Sequence, residues 1–464
     1  ERLSAAQLAA VEKAAFEAAR SELESKLRRW QTKADELESQ VPSRLTLGLD
    51  MTRKAYRFGA ITQSASVPER EIRIDPQVVM QANDELAGEQ NPGMQLERGR
   101  FLEELLMPDD LRRQLYNNAP VVMMLDSTTA RIHWEMVAQP ELIAATGGVA
   151  VAHEANEFKA DRFLGTSRGF TRQLRTTFAP PPEPPPPPRR VLRVLVVADP
   201  AEDAHLPGAQ EEGEAVADLF ESYNTVYSDR VEDTRVEVVR LFGPVEATRT
   251  NVLRELMVRQ YDVLHYAGHC EYNTKDPSSS GWIFSMEKKE RLSANELNRI
   301  DRIPKFVFSN ACESGITPDR SRERTAELAP SFAEAFFMRG VANFVCTAWP
   351  VDDLAARIFS LTLYGWLLGI RAGEDGGYSR GEPKPMHYAM REARIQIANM
   401  EEGVATWGAY QHYGNPYFQL FNAPQDKAVD EAKKTARKKP AKSAKKAVSR
   451  KAVKSSTKSS RKRG

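Results

Sequence analysis

Two segments of the chain share one design: Tyr261-Asp262-Val263-Leu264-His265-Tyr266-Ala267-Gly268-His269-Cys270 and Phe306-Val307-Phe308-Ser309-Asn310-Ala311-Cys312-Glu313-Ser314-Gly315. Each begins as an apolar stretch typical of a buried strand and ends abruptly in small and polar residues. His269 and Cys312 stand near the two ends, 43 residues apart. If the strands are neighbours in a parallel sheet, imidazole and thiol meet at its carboxyl edge, where open α/β sheets bind ligands. A histidine–cysteine pair supplies the base and the nucleophile that acyl transfer requires at a minimum.

The sequence around these segments alternates between strand and helix patterns from 191 to 420. Predicted strands lie at 191–198, 235–242, 261–267, 282–286, 305–309, 341–347 and 417–421. Predicted helices lie at 208–223, 247–260, 293–299, 330–339, 352–368 and 385–400. This alternation predicts an α/β fold in which helices flank both faces of a mostly parallel sheet.

The region before residue 179 has its own, weaker pattern. Strands are predicted at 45–51, 71–74 and 121–125, and helices at 98–106 and 108–116. His133 and His153 have no cysteine nearby in the sequence, and we interpret them as structural or exposed residues. The segment 180–188 holds eight prolines in nine residues, which is typical of a polyproline II spacer; a ligand for a proline-binding module is the alternative.

The two ends of the chain differ from its body. Residues 4–38 have apolar side chains at helical spacing, which predicts a helix that either docks on the body or associates as a coiled coil. Residues 432–464 hold 15 of the 65 Lys and Arg residues and no acid, so the rest has 50 basic and 64 acidic residues, a net charge of −14. We therefore predict that this tail is disordered and that its segment from Lys433 to Arg463 binds nucleic acid or another polyanion. A merely solvated tail and an autoinhibitory tail docked on the acidic body are the alternatives.

Composition narrows the class of protein. Hydrophobic residues make up 41% and charged residues 28%, as in soluble globular proteins. The apolar runs are far shorter than the roughly 20 residues that a membrane span needs. Three cysteines are too few for a disulfide framework, and the chain, which starts at Glu1, shows no signal-peptide pattern. We expect a cytoplasmic protein without membrane contact.

Several landmarks occur in a familiar order. They are Leu206-Pro207-Gly208-Ala209, Thr248, His265-Tyr266-Ala267-Gly268-His269, Asn310-Ala311-Cys312-Glu313-Ser314-Gly315, Thr347-Ala348-Trp349-Pro350-Val351-Asp352-Asp353, Trp407-Gly408-Ala409-Tyr410 and Tyr413-Gly414-Asn415-Pro416. The series resembles the CHAT domain, a family of caspase-like cysteine peptidases akin to separase. Arg112, Leu125-Asp126 and Trp134-Glu135 resemble its degenerate first half.

The resemblance implies a division of the chain. It implies a caspase-like sheet built from a pseudo-half at 43–178 and an active half at 191–425. An N-terminal helix at 1–42, a Pro-rich linker at 179–190 and a basic tail at 426–464 complete the predicted organisation.

The resemblance also implies a site. Cys312 would be the nucleophile and His269 the residue that holds and delivers the proton. The residues expected around the oxyanion and the substrate are Gly268, Cys270, Asn310, Ala311, Glu313, Asp352 and Asp353. His265 is expected in the core or behind His269, where it could orient that ring. No metal and no cofactor are expected.

Two residues of this site depart from related peptidases. Cys270 stands where the family usually has glycine, so it is either tolerated, a regulatory thiol, or a sign of weakened activity. Asn310, two positions before Cys312, is neutral where peptidases that cut after Arg or Lys often carry an acid. This weighs against a strict preference for basic residues, although Glu313, Asp352 and Asp353 could supply charge to a pocket, and the two aspartates could instead cap the following helix.

We therefore expect a cysteine endopeptidase that cleaves a protein substrate. The resemblance implies a regulated effector in a bacterial signalling or defence pathway, switched on by a protein partner. The alternative is a catalytically silent scaffold that binds protein partners and, through its tail, nucleic acid.

Overall fold

The computed structural model describes residues 42–61, 66–114, 119–139, 158–175, 190–230, 234–271, 280–297, 299–300, 303–312, 341–373 and 376–421. The strands are β1 Ser43–Asp50, β2 Ala55–Ile61, β3 Ser66–Arg73, β4 Val121–Leu125, β5 Phe170–Leu174, β6 Arg190–Ala198, β7 Thr234–Phe242, β8 Val263–Glu271, β9 Gly281–Ser285, β10 Glu290–Ser293, β11 Phe306–Cys312, β12 Asn343–Thr347, β13 Ile370–Ala372, β14 Tyr378–Arg380 and β15 Tyr410–Gly414.

The α-helices range in length from four residues to the 20 residues of α5. They are α1 Pro76–Asp84, α2 Pro92–Leu106, α3 Asp109–Gln114, α4 Leu164–Ser167, α5 Pro207–Val226, α6 Gly243–Glu246, α7 Arg249–Val258, α8 Ala294–Leu297, α9 Asp353–Leu368 and α10 Met386–Ala398. Among the described residues, no helix has both the length and the apolarity that a membrane span requires.

One large mixed sheet runs through the molecule. Its strands follow the order β7-β6-β8-β11-β12-β15-β5-β4-β1-β2-β3, and the β9–β10 hairpin pairs with the last residues of β8. The pairs β7–β6, β6–β8, β8–β11 and β11–β12 are parallel, as are β15–β5, β5–β4 and β4–β1. The predicted α/β fold with a mostly parallel sheet and flanking helices is therefore confirmed.

The central strands are buried over most of their length because both faces of the sheet are covered. One face packs against α5, α9 and α10, through residues such as Phe220, Phe359 and Met390. The other face packs against α7, through Val252 and Leu256. Buried parallel strands of this kind place their carboxyl ends along one edge, which is where the candidate site lies.

Two predictions about strands need correction. The central strands end later than expected: β8 continues through His269 to Glu271, and β11 continues to Cys312. The strand predicted at 417–421 is wrong, because Asn415 accepts from the backbone N–H of Tyr417 through its side chain and of Phe418 through its carbonyl, forming a turn. The last strand is instead β15, antiparallel to β12.

Other predictions lie outside the described residues. These are the helix at 4–38, the proline segment 180–188, the helix at 330–339, His153 and the basic tail.

Candidate active site at the carboxyl edge of the sheet

The register of β8 and β11 brings the two predicted catalytic residues together. Cys312 lies opposite His269 in the parallel pair, and Asn310 lies opposite Ala267. Opposed positions of neighbouring strands share one face of a sheet. His269 and Cys312 therefore occupy adjacent positions on the face that packs against α5. The backbone of Cys312 is the part of this residue that the structure describes, and Glu313 lies outside the described residues.

The ring of His269 is held in one orientation. Its side chain is buried, and Nε2 lies 2.9 Å from the carbonyl oxygen of Ala204. A carbonyl oxygen can only accept, so Nε2 carries the proton in this hydrogen bond. In the neutral ring this leaves the lone pair on Nδ1. The arrangement suits a base that must take a proton at Nδ1.

Burial also determines the charge state of His269. Desolvation lowers its pKa, and the hydrogen bond to Ala204 and the carboxylates of Asp199 and Asp203 partly offset this effect. The net result is a pKa below the ordinary value of 6.5. His269 is therefore mainly neutral near pH 7, the state in which it can accept a proton from a thiol.

Cys270 lies on the other face of the sheet. Side chains alternate along a strand, and the Cys270 side chain packs with Tyr266 and Trp282 in the hydrophobic cluster on the α7 face of the sheet. Ala311 belongs to the same cluster. The thiol that replaces the expected glycine thus lies across the sheet from the face that holds the His269 ring.

Gly268 is needed for a local packing reason. A Cβ at this position would stand 3.0 Å from the Tyr266 hydroxyl and 3.0 Å from Cδ of Pro200. The Tyr266 hydroxyl donates to the carbonyl oxygen of His269 over 2.7 Å, and its ring stacks on Trp282. Glycine therefore leaves room for the hydrogen bond that fixes the backbone at His269.

A buried polar network lies below the dyad on the same face. Glu212 of α5 accepts from the side chains of Asn310 (2.7 Å) and Ser360 (2.5 Å). His265 Nε2 lies 3.3 Å from the Glu212 carboxylate, and its Nδ1 lies 3.2 Å from the Tyr364 hydroxyl. Positions 265 and 269 are about 13 Å apart along an extended strand. His265 thus belongs to the core and to this network rather than touching His269 directly.

Asp352 and Asp353 have different surroundings. Asp352 is the N-cap of α9 and accepts from the backbone N–H groups of Leu354 (2.9 Å) and Ala355 (3.0 Å). Asp353 packs against Gly208, the second residue of α5. Burial raises its pKa, and the neighbouring carboxylates of Asp352, Glu212 and Glu211 raise it further.

Sequence reasoning missed three contributors to the site: Ala204, Asp203 and Glu212. Glu212 carries a signal, because a charged residue stands between Ala209 and Val216 on the apolar face of α5. Asp203 follows the end of β6, a position where polar side chains gather in parallel sheets. Ala204 acts through its backbone and leaves no signal. No group of His, Cys, Asp and Glu side chains suited to a metal ion occurs among the residues that the structure describes.

Comparison with known proteins gives one family. The family model described as CHAT domain matches residues 96–415, and no curated protein matches the chain. Among solved structures, the chain is similar to the Saccharomyces cerevisiae separase–securin complex at 2.6 Å resolution, with 10% identity and a TM-score of 0.41. That match covers 85% of this chain and 31% of the other, so the chain spans about a third of the length of its relative.

A second structure is gingipain R (RgpB), described as an Arg-specific cysteine proteinase. It has 13% identity and a TM-score of 0.37, and the match covers 72% of this chain and 75% of that chain. The family match includes both His269 and Cys312 and most of the 464 residues. The resemblance inferred from the sequence is confirmed, and the chain belongs to the CHAT domain family.

Proposed function

We propose that the protein is a cysteine endopeptidase in which His269 and Cys312 form the catalytic dyad. The observation that carries this proposal is the register that sets the two residues opposite each other at the carboxyl edge of the sheet. The hydrogen bond from His269 Nε2 to Ala204 supports it, because it leaves Nδ1 as the acceptor. The family match supports the same chemistry.

The proposed reaction has two stages. In the first, His269 Nδ1 takes the proton of the Cys312 thiol, and the sulfur attacks the scissile carbonyl carbon. The tetrahedral intermediate collapses to a thioester as protonated His269 gives its proton to the leaving amine. In the second, His269 takes a proton from water, the hydroxide attacks the thioester, and Cys312 leaves with that proton as a thiol.

The negative oxygen of each tetrahedral intermediate needs preorganised donors. We assign this role to the backbone N–H groups of Cys312 and Cys270. The Cys270 side chain packs on the opposite face, so only its backbone is needed at the site. This assignment makes the replacement of glycine by cysteine compatible with activity.

A thiol-directed probe tests the proposal. We expect a panel of peptidyl acyloxymethyl ketones, which differ in the terminal residue, to label wild-type protein at Cys312, as read by mass spectrometry. Cys312→Ala and His269→Ala should both lose labelling and should both fail to cleave a proteome-derived peptide library. For His269→Ala, which removes the base, we expect the cleavage rate to fall at least about 100-fold.

Cys270→Ala and Cys346→Ala are the matched controls. Both thiols are buried, and burial raises the pKa of Cys346. Each control should retain labelling at Cys312. The proposal is wrong if Cys312→Ala cleaves the library as well as wild type, or if every member of the panel leaves Cys312 unmodified in the folded protein.

A further inference from the structure

The loop that presents the Ala204 carbonyl is anchored at both ends. This loop, residues 199–206, is called the strap loop below. At its start, the Asp199 N–H donates to the Ala267 carbonyl over 2.9 Å. The Asp199 backbone has a positive φ of 50°, and its side chain accepts from the Leu206 N–H over 2.8 Å. The two ends are therefore tied to each other and to β8.

The middle of the strap loop is held by one carboxylate. Asp203 accepts from the backbone N–H groups of Met286 (2.7 Å) and Glu287 (2.6 Å) and from the Ser285 hydroxyl (2.9 Å). These three donors belong to the end of β9 and the turn that leads to β10. A carboxylate that accepts several such bonds makes stronger contacts than a neutral acceptor. Asp203 thus joins the strap loop to the β9–β10 hairpin.

Ala204 follows Asp203 directly in the chain. Its carbonyl is the acceptor for His269 Nε2 at 2.9 Å. A loop of small and polar residues has few apolar contacts of its own, so its position depends on such anchors. Movement at Asp203 would move the Ala204 oxygen away from the ring.

We propose that Asp203 is a positioning residue for the dyad: it holds the Ala204 carbonyl against His269 and so keeps the Nδ1 lone pair directed to the proton of Cys312. This inference rests on the proposed function. It assigns the residue a role through the strap loop, without contact to the substrate.

Glu202, the residue before Asp203, serves as the comparison because its carboxylate does not hold the backbone of the hairpin turn. The Glu202 carboxylate pairs with Lys288 over 2.5 Å, and both side chains are more than 60% exposed. The backbone N–H of Glu202 also contacts the hairpin, because it donates to the Phe284 carbonyl over 3.0 Å, and this hydrogen bond is retained in Glu202→Ala. The hydrogen bonds from the turn keep the pKa of Asp203 at about 2, so Asp203 stays ionised wherever the enzyme would work.

The test reads the His269 ring directly. In the full chain with ¹⁵N-labelled histidines, His269 should show a protected Nε2–H resonance at neutral pH, assigned among the seven histidines by its loss in His269→Gln. We expect Asp203→Ala to lose this resonance through solvent exchange, and Glu202→Ala to keep it. Asp203→Asn retains one acceptor oxygen and should give partial protection, and Ser285→Ala should do the same.

Measurement of kcat and KM for the same variants is the second part of the test. Asp203→Ala should lower kcat about 10- to 100-fold with KM within twofold, the effect of a misplaced base. Glu202→Ala should stay within twofold of wild type. An unchanged His269 resonance in folded Asp203→Ala, or an equal loss in Glu202→Ala, overturns the inference. Labelling of Cys312 in the wild type is read separately, so failure of the dyad itself is recognised independently of the ring signal.

Discussion

In the proposed role of base, His269 needs a neutral ring and an Nδ1 lone pair that is directed correctly. Burial provides the first condition, and the Ala204 carbonyl provides the second. The two effects oppose each other in the pKa of the ring, because a hydrogen bond to an acceptor stabilises the protonated form while desolvation penalises it. Desolvation is the larger effect here.

This balance predicts the acid limit of activity. As the pH falls, His269 becomes protonated and can no longer accept the thiol proton. Since its pKa is lowered from 6.5, the acid limb of kcat/KM should lie below pH 6.5. Asp199→Asn removes a carboxylate that raises the pKa of His269 and should move the limb to lower pH. An acid limb at or above pH 6.5 in the wild type would contradict this account.

At these positions the sequence was informative where side chains carry the chemistry. His269 and Cys312 stand near the ends of two buried apolar segments, and that placement is enough to predict a pair at one edge of the sheet. The face occupied by Cys270 depends on how far β8 stays extended, and the predicted strand stopped at 267 while β8 runs to Glu271. Once the strand is known to continue, alternation assigns Cys270 to the opposite face.

Helix α5 connects the sheet to α9 through one charged residue. Glu212 is almost fully buried, and it accepts from Asn310 on β11 and from Ser360 on α9. Buried polar groups are stable only when their partners are present. The network thus links two helices to the strand that ends at Cys312.

Removing this carboxylate should destabilise the fold. Glu212→Ala leaves the Asn310 amide and the Ser360 hydroxyl without their acceptor, at about 1–3 kcal/mol for each unsatisfied group. We expect the free energy of unfolding in urea to fall by about 3 kcal/mol. Glu211→Ala is the matched control, because Glu211 forms an exposed pair with Arg357 and should change stability by less than about 1 kcal/mol. Equal stability of the two variants would show that the network contributes nothing to stability.

Two of the strands that sequence patterns missed, β5 and β15, share a physical reason. Strands β5 and β15 mix polar and aromatic residues because their polar side chains are satisfied inside the molecule. His412 of β15, for example, lies 3.2 Å from the Thr171 hydroxyl and 3.0 Å from the Asn343 side chain. Apolar periodicity cannot detect a strand whose buried positions are polar. The apolar strands β6 and β4 are predicted to within one residue for the opposite reason.

Strands β1 to β5 join the rest of the large sheet where β5 pairs with β15. Tyr413 lies opposite Arg172, and the Arg172 guanidinium stands over the Tyr413 ring at 5.7 Å. Arg172 also forms a fully buried ion pair with Glu135, with one Nε–Oε1 distance of 2.9 Å. Arg394 of α10 lies 3.6 Å from the same carboxylate. A single acid thus joins two arginines from distant parts of the chain.

The resemblance to the CHAT family predicted two halves, but sequence could not predict how they join. The contact depends on residues that lie up to 259 positions apart, Glu135 and Arg394, and nothing in the sequence indicates that they pair. Trp134-Glu135 did appear among the landmarks of the first half. The role of Glu135 is seen only in the folded structure, where its carboxylate lies beside the guanidinium groups of Arg172 and Arg394 and all three side chains are fully buried.

This junction predicts a large and cooperative loss of stability. Glu135→Gln keeps the size of the side chain but leaves two buried guanidinium groups without their counter-charge, and breaking a buried pair in this way typically costs about 3–5 kcal/mol. Because Glu135 holds Arg172 of β5 and Arg394 of α10 in one cluster, the elements on both sides of this cluster should lose stability together. Urea unfolding followed by Trp fluorescence and by far-UV circular dichroism should give one coincident transition at a lower midpoint. Asp229→Asn, which breaks the exposed pair with Arg380, should lower stability by less than about 1 kcal/mol. A loss as small as in the control would mean that apolar packing alone joins these parts of the molecule. Two separate transitions in Glu135→Gln would contradict the expected joint loss of stability.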